Sequence, residues 1–357
     1  MDDNNVVMAL APKGDEISLD TLKKKEIDKI MEAVSSGKAV ANDYYDSTLE
    51  KKIIEREEIY NATKDHYRKK FKRLSEMSDW VSRDVKTSID WIIPQLMEVF
   101  TGSDKPVSVQ ARNIEKTDAA RKTELLMQYQ LDTKNDYTTF CNDIWTDALK
   151  FNYGVAKVWW KHREERKPMQ IMIGVNDYEI MDQLTNAAMA GDIEITNTKQ
   201  VDGGYFNIEY DEIHVTDNYP VIERLPPSEF RFTPDAPIVS DCKFVAHRKI
   251  VKGDYLKRRE KEGEYQNVDK ALENTGDTNY TTYDTLHNMG RNNKAKSLND
   301  GDNASKDVEL YECYVDVDYN NDGIYEKLIV HTVGDSNVPL KTQKNEFGRV
   351  PFFCISS

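Results

Sequence analysis

A chain of 357 residues, with 39% hydrophobic and 31% charged residues, is long enough for two or three domains and a sizeable core. Its formal net charge of -14 excludes a protein that grips nucleic acid mainly by neutralising phosphates, a mode that needs a basic footprint. The same charge leaves room for a wall past which DNA slides. Four widely spaced cysteines, Cys141, Cys242, Cys313 and Cys354, form no CxxC; they argue against a cysteine zinc site or a disulfide framework and read as four buried thiols.

The polar composition fits long exposed helices, disordered insertions, or apolar surface buried against other subunits. The acidic N-terminus has the pattern of neither a signal nor a transit peptide, and no apolar run approaches the ~20 residues that span a bilayer. A soluble protein made in a cytoplasm is expected.

In chain order, residues 1–16 read as disordered. Ser18 to Ser36 has helical spacing, with Ser18 as N-cap, Gly37 as stop, and a stripe of Leu22, Ile27, Ile30, Met31 and Val34. Tyr44 to about Met77 is a long charge-dense helix with a thin apolar seam, a type that bridges domains or packs in an assembly. Its basic cluster His66–Arg73 surrounds the helix rather than lining one side, so it reads as a solvated face paired with Glu55–Glu58.

Ser88 to Arg112 organises the rest. It begins as an apolar helix carrying Trp91, Ile92, Leu96, Val99 and Phe100, with Pro94 near its start. Gly102 and Pro106 bracket a turn, and Val107 to Ala111 alternates as a short strand. Trp91 is expected in a core or an assembly contact. Two amphipathic helices follow, Lys116–Asp132 and Asp136–Phe151, the second with Phe140, Ile144, Trp145, Ala148 and Leu149 on its apolar face. Val155–Lys161 is a strand whose Trp159 and Trp160 point to opposite faces. One of them is expected in a core and the other at a subunit contact.

From Met169 the chain turns β-rich. A small helix at Asp177–Ala190 precedes a hairpin of Ile193–Gln200 and Tyr205–Thr216 turning on Asp202-Gly203-Gly204. Val221–Leu225 leads into a proline-rich phrase. Phe244–Val251 is a strand closed by a helix at Lys252–Lys261. Residues 262–306, poor in apolar residues, read as a mobile insertion. Val308–Val317 and Tyr325–Val333 form another hairpin, and Val338–Thr342 is the last strand.

Asp318, Asn320, Asp322 and Gly323 match the first, third, fifth and sixth positions of a calcium loop. The twelfth position, normally a glutamate, is Ile329, and strands rather than helices flank the loop. A bare hairpin turn accounts for the same residues, with weak calcium binding as the alternative. The six histidines, His66, His162, His214, His247, His287 and His331, have no metal-ligand spacing and read as strand or surface residues. Gly203-Gly204 lacks the Lys-Ser/Thr of a phosphate loop, and there is no GxGxxG or GxSxG. Neither Asp211-Glu212 nor Glu229 is promoted to a general acid by its neighbours. No catalytic, cofactor or metal residue is assigned, and an enzyme is not expected.

Several phrases occur in an order that resembles the portal proteins of short-tailed, double-stranded DNA bacteriophages. They are Pro94 with Phe100-Thr-Gly-Ser-Asp-Lys-Pro106, Asp118-Ala-Ala120, Asp147 to Trp160, Leu225 to Ala236, Cys242 to Arg248, Asp316 to Gly323, and Arg349-Val-Pro-Phe-Phe353. The resemblance covers about residues 80 to 353. It implies an α+β subunit with polar N-terminal helices and an α/β wing, β-rich in the second half. The corresponding regions are 1–16, 17–80 (helical), 81–165 (helical wing part), 166–262 (β-rich wing part), 263–306 (insertion) and 307–357 (β-hairpin region). The chain ends about where a further helical region of that family is expected. Also implied is a homo-oligomeric ring of twelve subunits at one capsid vertex, through which double-stranded DNA is packaged and ejected. Its partners would be the major capsid and scaffolding proteins, the terminase large subunit and the tail adaptor, in a virion assembled in host cytoplasm, with no membrane. The rival reading is a calcium-stabilised β-rich binding module built on the Asp318-Asn320-Asp322 loop.

Overall fold

The computed structural model describes residues 22–63, 81–102, 106–174, 177–201, 205–275, 278, 281–284, 304–345 and 348–356. The N-terminal 1–16, the basic cluster His66–Arg73 and the Asp202-Gly203-Gly204 turn lie outside the described residues, as does most of 276–303. The helices are α1 (Lys24–Tyr44), α2 (Glu50–Tyr60), α3 (Asp84–Thr101), α4 (Thr117–Tyr129), α5 (Tyr137–Phe151), α6 (Tyr178–Ala190), α7 (Gly253–Lys261) and α8 (Val268–Glu273). The strands are β1 (Tyr153–Gly174), β2 (Ile193–Val201), β3 (Tyr205–Leu225), β4 (Phe230–Phe232), β5 (Phe244–Lys252), β6 (Asp307–Val317), β7 (Glu326–Val333), β8 (Pro339–Lys344) and β9 (Phe352–Ser356).

The chain forms two compact units. The first draws on Met1–Gln110, Asp136–Lys157 and Ile222–Ser357, the second on Ala111–Asn135 and Val158–Val221. The chain enters the second unit twice, first for Ala111–Asn135 and then along β1, returning the second time along β3.

The first unit is built on an antiparallel sheet of order β4-β5-β6-β7-β8. Both faces of its central strands are covered, so β6 is buried almost throughout. Alternation sorts the side chains. Phe244, Ala246, Tyr311, Cys313, Val315, Leu328 and Val330 share a core with Ile30, Met31, Val34 and Ala41 of α1. The residues between them face the other way. Val245 and Tyr314 pack with Val155, Leu225, Phe230 and Phe352. At the far end, Val308, Leu310, Val333 and Leu340 meet Leu256 of α7 and Val268, Ala271 and Leu272 of α8. Thus the described part of the 262–306 segment holds a helix with buried apolar residues at i, i+3 and i+4, a pattern that the polar composition around it hides.

Beside this sheet, α2, α5 and the residues around Tyr283 enclose Tyr45, Ile53, Phe151 and Tyr283. The ends of α5 follow its sequence. Asp136 at the N-cap has φ 43°, and its carboxylate accepts a hydrogen bond from the Thr139 N–H at 3.4 Å. Asn152 closes the helix at φ 62°. β9, not anticipated from sequence, pairs antiparallel with the start of β1, Val155 opposite Cys354.

Four expectations are corrected. Gly37 does not stop a helix: α1 runs through it and a five-residue π-type turn, Tyr45–Leu49, joins α1 to α2 in one rod. The glycine marks a close approach instead, since a Cβ there would lie 2.5 Å from the Phe244 ring. Val107 to Ala111 is not a strand. Pro94 sits in the interior of α3, which starts earlier than expected. β1 continues well past Lys161, to Gly174.

In the second unit β2 pairs antiparallel with β3, Ile193 opposite Glu212 and Val201 opposite Tyr205, with an irregularity between Ile195 and Asn197. The second-unit part of β1 lies beside β3: Trp160 Nε1 donates to Asn218 Oδ1 at 2.7 Å, and Thr216 Oγ1 donates to the Arg163 carbonyl at 3.1 Å.

The crossing at Gly37 gives a sharp test. Helix propensity alone makes Gly37→Ala stabilising by about 1 kcal/mol. Overpacking against Phe244 should reverse the sign and destabilise the protein by about 1–3 kcal/mol in denaturant unfolding. Adding Phe244→Leu should recover part of that loss. A more stable Gly37→Ala protein would show that the ring yields freely.

Candidate functional site

The loop flagged for calcium uses its oxygens on itself. The two carboxylate oxygens of Asp318 accept from the backbone N–H groups of Asp322 and Gly323, each at 3.2 Å. Asn320 Oδ1 accepts from the Asp322 N–H at 3.0 Å, and Asp322 Oδ1 from the Ile324 N–H at 2.8 Å. Asn320 Nδ2 donates to Asp322 and Glu326. Asn321 at φ 62° and Gly323 at φ 86° complete the left-handed corner. This geometry is that of a tight turn stapled by its own side chains.

Among the described histidines, His162 pairs with Glu164 and His214 with Glu212 at the surface. His66 and His287 lie outside the described residues. His247 and His331 belong to a polar cluster on the sheet face turned away from α1. There Lys157 Nζ meets Glu312 Oε2 at 2.5 Å and lies 3.5 Å from His247 Nδ1. His247 Nε2 is 3.2 Å from Glu229, and the Tyr314 hydroxyl donates to Glu312. Tyr265 Oη is 3.4 Å from His331 Nδ1. Burial raises the Glu312 carboxyl, but Lys157 and His331 outweigh it and hold the pKa at about 2. For His331 burial wins over the Glu312 charge and lowers its pKa to about 4. These groups satisfy one another and tie β1 to β6.

A second cluster lies on the α1 side. The Arg248 guanidinium, almost fully buried, donates to Glu309 at 2.7 and 3.2 Å and to Asp284 at 2.9 Å. The Arg231 guanidinium stacks 3.5 Å over the Tyr45 ring and donates to the Ser228 and Phe230 carbonyls and to Asn42 Oδ1. Sequence reasoning missed both arginines. The available signal was parity, since Arg248 falls in phase with Phe244 and Ala246 on an apolar strand.

The remaining feature is uncovered apolar surface. Trp91 was expected in a core or an assembly contact; within the chain it is 74% exposed and Val99 72%. Only Ile89 of α3 is buried, although the Phe100 ring touches Trp145 at 5.0 Å between centroids. Trp159 and Trp160 are both exposed, so neither fills a core within the chain. Cys141, Cys242 and Cys313 are buried, whereas Cys354 is exposed, and all four thiols are free. In the second unit Ile173, Ile193 and Ile208 are the buried apolar residues among those described. Neither α4 nor α6 has a buried residue, yet both are amphipathic. Leu125, Leu126, Tyr129, Tyr178 and Met189 stand in solvent.

Among the described residues no group of three or more His, Cys, Asp or Glu is placed to hold a metal ion. No helix among them is long and apolar enough to cross a membrane. A family model described as "Phage SU10 portal protein" matches residues 30–357.

Two measurements test these assignments. The folded His331 pKa lies below the ordinary 6.5, so the unfolded chain binds the proton first. Its contribution to stability is whole above pH 6.5 and lost as the pH falls towards 4, by about 1 kcal/mol per pH unit. In pH-dependent urea unfolding, His331→Gln should flatten the slope in that window, and an unchanged slope would contradict the assignment. Asp318→Ala should cost about 1–2 kcal/mol by removing the two carboxylate oxygens that accept from backbone N–H groups, and melting should not respond to added calcium. A calcium-dependent rise in melting temperature that Asp318→Ala abolishes would restore the metal reading.

Proposed function

Since the chain belongs to the phage portal protein family, the connectors between head and tail in genome packaging, we propose that it is one subunit of a homo-oligomeric ring at a capsid vertex. In this reading about twelve copies surround a channel through which double-stranded DNA enters during packaging and leaves on ejection. The ring sits among major capsid and scaffolding proteins, receives the terminase large subunit during filling, and later holds the tail adaptor. Its role is structural and belongs to the virion.

The observation that carries self-assembly is the mismatch between apolar content and burial in the second unit. Three buried isoleucines are few for a unit that also presents two amphipathic helices and a tryptophan pair. Exposed apolar area costs about 25 cal/mol per Å² relative to burial, and patches of this kind mark interaction surfaces. Repeated copies of the chain supply the missing cover. The titratable clusters of the first unit are occupied with one another, which favours a scaffold role over chemistry. The charge of -14 suits a channel that must not hold the DNA it passes.

Mass in solution and electron microscopy test this directly. A ring with a hole wide enough for duplex DNA is expected, and a single-chain mass at every concentration would refute it. Trp91→Ala should leave the unfolding free energy of the unassembled chain within about 0.5 kcal/mol while weakening assembly. Loss of stability in the unassembled chain would place Trp91 in a core after all.

A further inference from the structure

We propose that the ring closes through one specific pairing, the exposed face of α3 on one copy against the exposed face of α4 on the next. This rests on the ring reading above and names the surfaces that make it. A closed ring needs a heterologous contact, with two different and complementary patches on every copy. Three helices among the described residues carry exposed apolar patches, α3, α4 and α6, and the first two differ in charge in the way a closed ring needs.

On α3, Val85, Ile92 and Val99 recur every seven residues and form an exposed ridge, with Trp91 beside it. Glu98, one helical heptad after Trp91, has no cationic partner among the described residues. The helix carries three acids, Asp84, Asp90 and Glu98, against one lysine, Lys86. On α4, Leu125, Leu126 and Tyr129 form the exposed apolar patch. Arg121 and Lys122 lie one turn earlier, exposed and without an acidic partner among the described residues; of the acids on α4, Asp118 sits in the first turn and Glu124 is already engaged. Each face is therefore mismatched to itself. Two α3 faces would bring Glu98 near Glu98, and two α4 faces would bring bases against bases. Opposed to each other, the two faces bury apolar residues on both sides and set Glu98 near Arg121 and Lys122. The competing acidic surface is α6, but Asp182 there already accepts from Asn186, leaving Glu179 as its candidate.

Charge reversal separates these possibilities. Glu98→Lys and the double variant Arg121→Glu/Lys122→Glu are made in the full chain, checked for unchanged thermal melting, and weighed by light scattering and mass photometry. Each variant alone should need at least tenfold more protein than the natural chain to assemble. Mixed one to one, they should assemble again as alternating copies. Every contact then sets the introduced lysine against the two introduced glutamates, or Glu98 against Arg121 and Lys122. The triple variant should also assemble. The pairing is overturned if either variant assembles like the natural chain. It is equally overturned if the mixture stays dispersed while Glu179→Lys added to the α4 double variant restores assembly, or if neither does. A natural chain that never assembles would instead refute the ring itself, and this pairing with it.

Discussion

The buried Arg248 guanidinium is the constraint around which the first unit is arranged. One side chain on β5 holds Glu309 on the neighbouring strand and Asp284 from the segment after α8. Burial works against its charge, and the two carboxylates more than compensate, so its pKa is raised. Asp284 is lowered in turn, the Arg248 charge prevailing over its own burial. The turn that bears Asp284 is fastened elsewhere too, since the backbone N–H groups of Thr282 and Tyr283 both reach Glu50 on α2. One charge thus ties the sheet, the helical rod and the returning chain. Buried ion pairs add little net stability compared with apolar packing, but removing one partner costs about 3–5 kcal/mol. Losing Arg248 would leave Glu309 and Asp284 buried without their cation, which is why the cost falls on all three segments at once.

The opposite sheet face repeats the device. Lys157, where β1 leaves the first unit, is bonded to Glu312 on β6, with His247 and Glu229 beside it. Directly across the ladder, His247 pairs with Glu312 in register. A slip of one residue would turn all of these polar groups onto the wrong face. The sheet is accordingly specified twice, by alternation of apolar residues and by two polar clusters that tolerate no shift.

Much of this was legible in the sequence where a local pattern has one meaning. Val308–Val317 and Phe244–Val251 alternate, and the structure sorts their side chains onto two faces as alternation requires. Asp136 and Asn152 bracket α5 because their side chains suit the ends of a helix. Gly37 was misread because glycine serves both as a helix stop and as a gap for a neighbour, and only Phe244, far along the chain, decides between them. Val268, Ala271 and Leu272 had helical spacing, but their polar surroundings outweighed it. The tie between Arg248 and Asp284 was hidden because nothing in a linear chain says which charges will be buried together. For Trp91, the amphipathic stripe identified an apolar face but could not say whether the residue covering it lies in the same chain.

That last ambiguity explains the division of labour in the molecule. The sheet of the first unit closes its core with residues of the same chain, while helix α3 of that unit leaves Trp91 and Val99 bare. The second buries only Ile173, Ile193 and Ile208 among its described apolar residues, so in the ring proposed above its stability would follow the concentration of its copies. A chain with so much bare apolar surface risks indiscriminate association, and the net charge of -14 opposes it through mutual repulsion at long range. Repulsion of that kind selects for contacts that carry a local exception. Arg121 and Lys122 are such an exception on an acidic chain, and they stand beside the apolar patch of α4 rather than apart from it. In the pairing proposed above, attraction at that point favours one orientation over the others, which is what separates a ring from an aggregate.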